Sequence, residues 1–105
     1  MTPMNKIGQK NDSGKPRWSL MPFRELSEVL AVLEHGALEY GADDWKNVAH
    51  MRDRYFNAAM RHLLAWWGGD RDDPDSGRSH LAHAVCCLIF LMWGDNTPPP
   101  PPPDK

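Results

Sequence analysis

The sequence predicts a small all-α domain, a compact and bundle-like arrangement of three to four helices. No segment alternates apolar and polar residues over several positions, and β-branched residues are few, so strands are not expected. Three segments instead repeat apolar residues every three to four positions, the period of a helix that buries one face. The 105 residues suffice for one domain. We place it at residues 15–95, between a flexible N-terminal segment (1–14) and a disordered proline-rich tail (96–105).

The helix bounds follow from local start and stop signals. The first predicted helix spans 22–40, because its opening proline suits a first helical turn and Gly41 suits a stop. The second spans 52–67 and ends at two glycines, and the third spans 79–93, with a serine as N-cap. The third helix is apolar almost all round, so two other helices are not expected to cover it. We therefore expect a homo-oligomer that forms through this helix, including Trp93.

Charge and hydropathy restrict the expected location and partners. A formal net charge of −2 provides no basic field for general binding to DNA or RNA polymers. The chain starts without the apolar core of a signal peptide, and its longest apolar run, 84–93, is too short for a bilayer, so no membrane partner is expected. Cys86 and Cys87 are adjacent and therefore poorly placed to bridge each other, so we expect reduced, buried cysteines in the cytoplasm.

Two histidines open the third helix. His80 and His83 are three residues apart and share a helix face. Neutral imidazoles at this spacing can chelate one transition metal, and a histidine pair at a helix start can also hold phosphate oxygens. Structural hydrogen bonding by both side chains is the alternative interpretation. His62 is a third candidate, because the connecting loop brings the end of the second helix close to the start of the third.

A stripe of polar side chains runs along the first helix, formed by Glu25, Glu28, His35 and Glu39. Paired carboxylates can hold Mg²⁺, which prefers oxygen ligands and can bridge to substrate phosphates. The alternative is a solvated face, since the stripe points away from the apolar centre of the helix. Of these residues, Glu28 is the preferred ligand candidate.

Cations and aromatic side chains occur together before the first helix. The cations Lys15 and Arg17 can bind phosphate, and the Trp18 ring can stack on a base. The alternative is a surface segment in which the tryptophan covers the edge of the core. Trp45 lies in the polar loop after the first helix and is expected to pack either on the core or on a ligand.

An acidic loop precedes the third helix. Asp72, Asp73 and Asp75 are candidate cation ligands, but the loop lacks the spacing and the glycine placement of an EF-hand. We attribute these residues to turn formation and to capping of the third helix.

Three blocks of the chain, taken in order, carry a family resemblance. They are residues 15–18 with Leu20 and Pro22, residues 35–41 with Trp45, and residues 61–66 continuing through 73–77 to 80–84. In order and spacing they resemble the N-terminal domain family of phage dATP/dGTP diphosphohydrolases, distantly similar to MazG-like all-helical nucleotide pyrophosphohydrolases. The resemblance implies a nucleotide ligand and the cytoplasm of a phage-infected or lysogenic bacterium.

The resemblance also implies roles for individual residues. The longer phage proteins of this family cleave purine deoxynucleoside triphosphates to monophosphate and pyrophosphate, and MazG-like enzymes carry an ExxE pattern and a later ExxD pattern. Residues 25–28 match the first pattern, whereas histidines stand where the second would fall. The implied nucleotide-binding residues are Lys15, Arg17, Trp18, Trp45, Arg61, His62, His80 and His83. The implied catalytic residues are Glu25, Glu28 and Glu39, with Mg, Mn or Zn held by Glu28, His80 and His83.

Three functional hypotheses remain open at this point. The chain is a metal-dependent nucleoside triphosphate diphosphohydrolase, a non-catalytic protein that sequesters a nucleotide immune signal such as a cyclic oligonucleotide, or a helical adaptor that regulates another enzyme. The first two use the same basic, aromatic and histidine residues.

Overall fold

The computed structural model describes residues 7–98, and within them the chain forms three α-helices. Helix α1 spans Phe23–Tyr40, α2 spans Met51–Trp67 and α3 spans His80–Asn96. No strand forms among the described residues, so the predicted all-α, bundle-like class is confirmed. Within the same part of the chain, no helix reaches the length and hydropathy that a membrane crossing needs.

The predicted ends of α1 and α2 agree with the structure to within one residue, whereas α3 continues past its predicted end. Gly94 was expected to stop this helix, but it stays helical and lies against Met51 at the start of α2. The helix ends only at Thr97, whose hydroxyl donates to the Trp93 carbonyl at 2.7 Å. Packing between helices therefore overrides the local stop signal. Most of the predicted tail, residues 99–105, and residues 1–6 lie outside the described part.

Helix α3 is the centre of the fold, since α1 and α2 both pack against it and scarcely contact each other. Helix α2 runs antiparallel to α3, which brings His62 beside His80. Helix α1 runs alongside α3 in the same direction, so that Glu28 lies near the start of α3. The Cys86 thiol donates to the Val29 carbonyl at 3.5 Å and so links α3 to α1.

The core is small, and large apolar side chains remain on the outer faces. Its buried cluster consists of Val29, Val32, Ala82 and Cys86, with Leu33 and Phe90 partly buried against it. The outer face of α3 exposes Leu81, Val85, Leu88, Ile89 and Met92. Exposed apolar faces of this kind are typical of interaction surfaces, and the homo-oligomer expected through α3 stays a prediction. Trp93, expected at that interface, packs edge-on against Trp45 with ring centroids 5.2 Å apart.

Candidate functional site

A groove runs along α3 between α1 and α2, because the two outer helices contact the central helix rather than each other. Its volume is about 830 Å³. The α3 residues that line it are His83, Cys86, Cys87 and Phe90. We call one end the aromatic end, formed by Trp45, Tyr55 and Phe90, and the other the histidine end, formed by His62, Asp73, Ser76 and His83 with His80 behind them.

The aromatic end is held together by stacking. Trp45 stacks on Phe90, with ring centroids 4.3 Å apart and planes inclined by 15°. Tyr55 meets Phe90 edge-on at 4.9 Å, and its hydroxyl donates to the Trp45 carbonyl at 3.1 Å. Of the two interpretations open for Trp45, the structure shows packing on the core. The same side chain lines the groove and so remains available to a ligand there.

Charged side chains also line the walls of the groove. Arg54 and Arg61 lie on the α2 wall, seven residues and hence about two helical turns apart, so they share one side of the helix. His35 and Glu39 lie on the α1 wall, with His35 Nε2 3.5 Å from Glu39 Oε2. A single arginine guanidinium group can donate two parallel hydrogen bonds to two oxygens of a phosphate. The α2 wall is therefore suited to an anionic ligand.

At the histidine end, three imidazoles meet one carboxylate. His62 Nδ1 lies 2.9 Å from His80 Nδ1 and 3.8 Å from Asp73 Oδ2. The His62 ring also stacks on His83, with centroids 4.5 Å apart and planes inclined by 11°. His83 Nε2 is 2.6 Å from Ser76 Oγ. His80 is only 5% exposed, so this end of the groove is anchored in the interior.

The loop before α3 places Asp73. Its Oδ1 accepts the backbone N–H groups of Asp75 at 2.8 Å and Ser76 at 3.0 Å, which directs Oδ2 towards His62. Gly77 closes the turn at a φ of +70°, a left-handed conformation that side chains with a Cβ rarely adopt. The Asp73 carbonyl accepts from Gly77 N–H at 2.7 Å. The Asp73 carboxylate therefore does two things at once: one oxygen stabilises the turn, and the other faces His62.

Burial sets the protonation states at the histidine end. Desolvation, followed by the nearby His83 side chain, lowers the pKa of His62, although the Asp73 carboxylate acts in the opposite direction. Desolvation also lowers the pKa of His83, again against Asp73. Desolvation would raise the pKa of Asp73, but hydrogen bonds from the Ser76 and Asp75 backbone outweigh it, so the pKa of Asp73 lies below its ordinary value. At neutral pH the lowered pKa values keep the His62 and His83 rings neutral beside the ionised Asp73 carboxylate.

The structure brings together some of the residues that the sequence singles out and separates others. Those on the groove or directly behind it are Trp45, Arg61, His62, His80, His83 and Glu39. Glu28 instead lies in a separate small pocket, with its Oε1 3.4 Å from Arg71 Nη2. Glu25, Lys15 and Arg17 are exposed away from the groove, and Trp18 is 68% exposed in a short 3-10 helix, Trp18–Leu20. The roles assigned to all these residues stay predictions.

Sequence reasoning missed Ser76 as a site residue, and it named Asp73 as a candidate cation ligand but set it aside. It explained the acidic loop by turn formation, which the structure shows, but the turn also carries the carboxylate to His62. The signal that could have found them is their place inside residues 73–77, one of the blocks that carry the family resemblance.

The thiols in the groove floor should be unreactive in the native protein. Cys86 and Cys87 are free and buried, and desolvation raises the pKa of Cys86 from 9.0 to about 12. Because the thiolate is the reactive form, iodoacetamide at pH 8 should modify neither residue in the native protein and both in urea. Since ionisation favours the unfolded state, the protection should fall as the pH rises from 9 towards 12. Mass spectrometry of timed samples measures this, and rapid native modification at pH 8 would contradict the packing.

Comparison with known proteins agrees with the resemblance read from the sequence. Residues 5–99 match the family described as dATP/dGTP diphosphohydrolase, N-terminal. A dATP/dGTP diphosphohydrolase of Salmonella phage PMBT28 is 35% identical over 86 residues, which cover 82% of this chain and 29% of that protein. The chain thus spans less than a third of the length of this relative. No solved structure gives a significant match. The chain belongs to the dATP/dGTP diphosphohydrolase N-terminal family.

Proposed function

We propose that the groove binds a purine deoxynucleoside triphosphate and that the chain takes part in its hydrolysis to the monophosphate and pyrophosphate. The base would lie at the aromatic end and the phosphates at the histidine end. The name of the phage relative supports the nucleotide class. The observation that carries the proposal is that one groove joins stacked aromatic rings, two arginines and a cluster of imidazoles with a carboxylate.

The spacing of these groups along α3 supports this orientation. Seven residues separate Phe90 from His83, which corresponds to about 10 Å of helix. Base and sugar would fit between the two ends, and Arg61 lines the α2 wall of the groove. Base stacking on an aromatic ring is favourable whatever the base, so the aromatic end provides affinity. The arginines neutralise phosphate charge on the way to the histidine end.

The proposed chemistry is the attack of water on the α-phosphorus. The bond from this phosphorus to the oxygen that bridges it to the β-phosphorus breaks, and pyrophosphate leaves with the bonding electron pair. The proton that the water loses passes through the Ser76 hydroxyl to His83 Nε2, which is 2.6 Å from that hydroxyl. His83 can accept it because its lowered pKa keeps the ring neutral. A bound divalent cation would add charge neutralisation at the phosphates.

Product analysis tests the proposal. The protein is incubated with each of the common deoxynucleoside triphosphates and Mg²⁺, Mn²⁺ or Zn²⁺, and the products are separated by anion exchange. We expect monophosphate and pyrophosphate in equal amounts from dATP and dGTP. His83→Gln should slow the reaction about a hundredfold, since a positioned base contributes at least that much. His50→Asn is the matched control, because His50 lies outside the groove and asparagine tolerates its φ of +56°.

A second candidate is sequestration of a nucleotide without cleavage. It is favoured by one observation: among residues 7–98, Glu25, Glu28 and Glu39 do not come together as a metal-binding group. In this part of the chain the α1 carboxylates therefore do not form a ready-made group of three metal ligands. In the same experiment, sequestration predicts nucleotide that is depleted from solution and recovered intact after heat denaturation. If no nucleotide changes the melting temperature, both candidates fail and a regulatory adaptor remains.

A further inference from the structure

We propose that His62, Asp73 and His80 form a centre for a divalent transition metal of the zinc type. Each residue offers one ligand atom, and the three atoms all lie within 4.8 Å of one another. They come from three parts of the chain, namely the second half of α2, the loop before α3 and the first residue of α3. The sequence predicts a different ligand set, of which only His80 is retained.

Two of the three distances between the ligand atoms are close to those that a metal would impose. A tetrahedral Zn²⁺ with bonds of about 2.0–2.1 Å to nitrogen and oxygen holds neighbouring ligand atoms about 3.3 Å apart. The two Nδ1 atoms of His62 and His80 are 2.9 Å apart, and His62 Nδ1 is 3.8 Å from Asp73 Oδ2. These two distances lie on either side of the ideal value. The third separation, between the ligand atoms of His80 and Asp73, is at most 4.8 Å, so binding a metal requires that the side chains draw together at this point.

The donor chemistry selects the class of metal. Two imidazole nitrogens and one carboxylate oxygen suit Zn²⁺, Co²⁺ or Ni²⁺, whereas Mg²⁺ prefers oxygen ligands throughout. The other sequence-predicted ligands are occupied elsewhere. Glu28 Oε1 faces Arg71, and His83 Nε2 faces the Ser76 hydroxyl. His62, Asp73 and His80 remain as the candidate ligands, and a bound metal would replace the hydrogen bond between the two Nδ1 atoms.

Three protein ligands leave one tetrahedral position open, as in catalytic zinc sites. Since His62 and Asp73 both line the groove, that position is at the histidine end, where the phosphates are proposed to bind. The assignment thus deepens the proposed function. Its test needs no nucleotide, so metal binding and nucleotide hydrolysis can each fail without the other.

The test measures metal binding by the full chain. The protein is treated with a chelator, dialysed, and titrated with Zn²⁺ in a calorimeter, with Mg²⁺ as the comparison metal and the melting temperature as a second readout. We expect one Zn²⁺ per chain and a higher melting temperature, because a ligand that binds only the folded state stabilises it. We expect no effect of Mg²⁺ at the same concentration. Absence of stoichiometric Zn²⁺ binding would overturn the proposal.

Variants and a cobalt spectrum locate the metal. Asp73→Asn and His62→Ala should each weaken Zn²⁺ binding at least tenfold, whereas His50→Asn should bind like the unmodified chain. Asp73→Asn keeps an oxygen for the two backbone N–H groups, so it remains informative if His62→Ala fails to fold. Co²⁺ should give visible absorption bands without the near-ultraviolet band of a thiolate ligand. A thiolate band, which would place the metal at Cys87, or undiminished binding in Asp73→Asn overturns the proposal.

Discussion

Replacing Asp73 with asparagine should slow the proposed hydrolysis of dATP and dGTP about tenfold to a hundredfold while the protein stays folded. The substitution removes the negative charge that faces His62 but keeps a side-chain oxygen able to accept the Asp75 and Ser76 N–H groups. Loss of a charged group that orients a metal ligand typically lowers activity by about 10- to 100-fold. Initial rates of pyrophosphate release measure the effect, and circular dichroism verifies the fold.

Asp72→Asn is the control for this experiment. Asp72 is in the same loop, but its carboxylate is exposed and pairs with Arg71 at 2.7 Å instead of facing the groove. Its removal should change the rate by less than about twofold, since exposed ion pairs contribute little. Equal losses in both variants would show that the loop acts through its overall charge, and full activity in Asp73→Asn would remove Asp73 from the site.

Replacing Phe90 with alanine should destabilise the protein by about 3 kcal/mol. Phe90 is stacked on Trp45 and in edge contact with Tyr55, so its loss leaves a cavity and removes two aromatic pairs. A domain of ordinary stability has only about 5–15 kcal/mol in total. The variant should therefore unfold at a much lower urea concentration, as followed by tryptophan fluorescence.

Phe23→Ala is the matched control for Phe90→Ala. Phe23 begins α1 and is 58% exposed, so its truncation should cost less than about 1 kcal/mol. If both variants lose stability equally, the aromatic end is not the packed structure seen between Trp45 and Phe90. If only Phe90→Ala is affected, the packing of Phe90 against Trp45 and Tyr55 is confirmed as a support of the fold.

The helices are predictable from sequence because each carries a local pattern. The three-to-four spacing and the flanking signals place α1 and α2 to within one residue. The exception is the end of α3. Gly94 is a stop signal because glycine is conformationally free, but the helix continues through it where it lies beside Met51. Contact with another helix is a tertiary effect, and no local rule includes it. The same limit applies to Trp45, for which the sequence predicts packing either on the core or on a ligand without deciding between them.

The site is only partly predictable for a related reason. The spacing of His80 and His83 predicts that they share a face, and the short connection to α2 predicts that His62 lies near. Asp73 joins them only because its turn folds back onto α2, and such a contact leaves no periodic signal. The ExxE pattern predicts Glu28 as a site residue, but Glu28 lies on a side of α1 that faces Arg71 and the small pocket, outside the groove.

Nitrogen-15 NMR of the imidazole rings tests most directly whether the phosphates of a nucleotide lie at the histidine end. The chain has five histidines, of which His50 lies outside the groove. Titration with dGTP should shift the ring resonances of His62, His80 and His83 and leave those of His50 unchanged. Deoxyguanosine, which lacks the phosphates, should leave the three cluster resonances in place. Binding of dGTP without any shift in the three cluster histidines would contradict the proposed phosphate site.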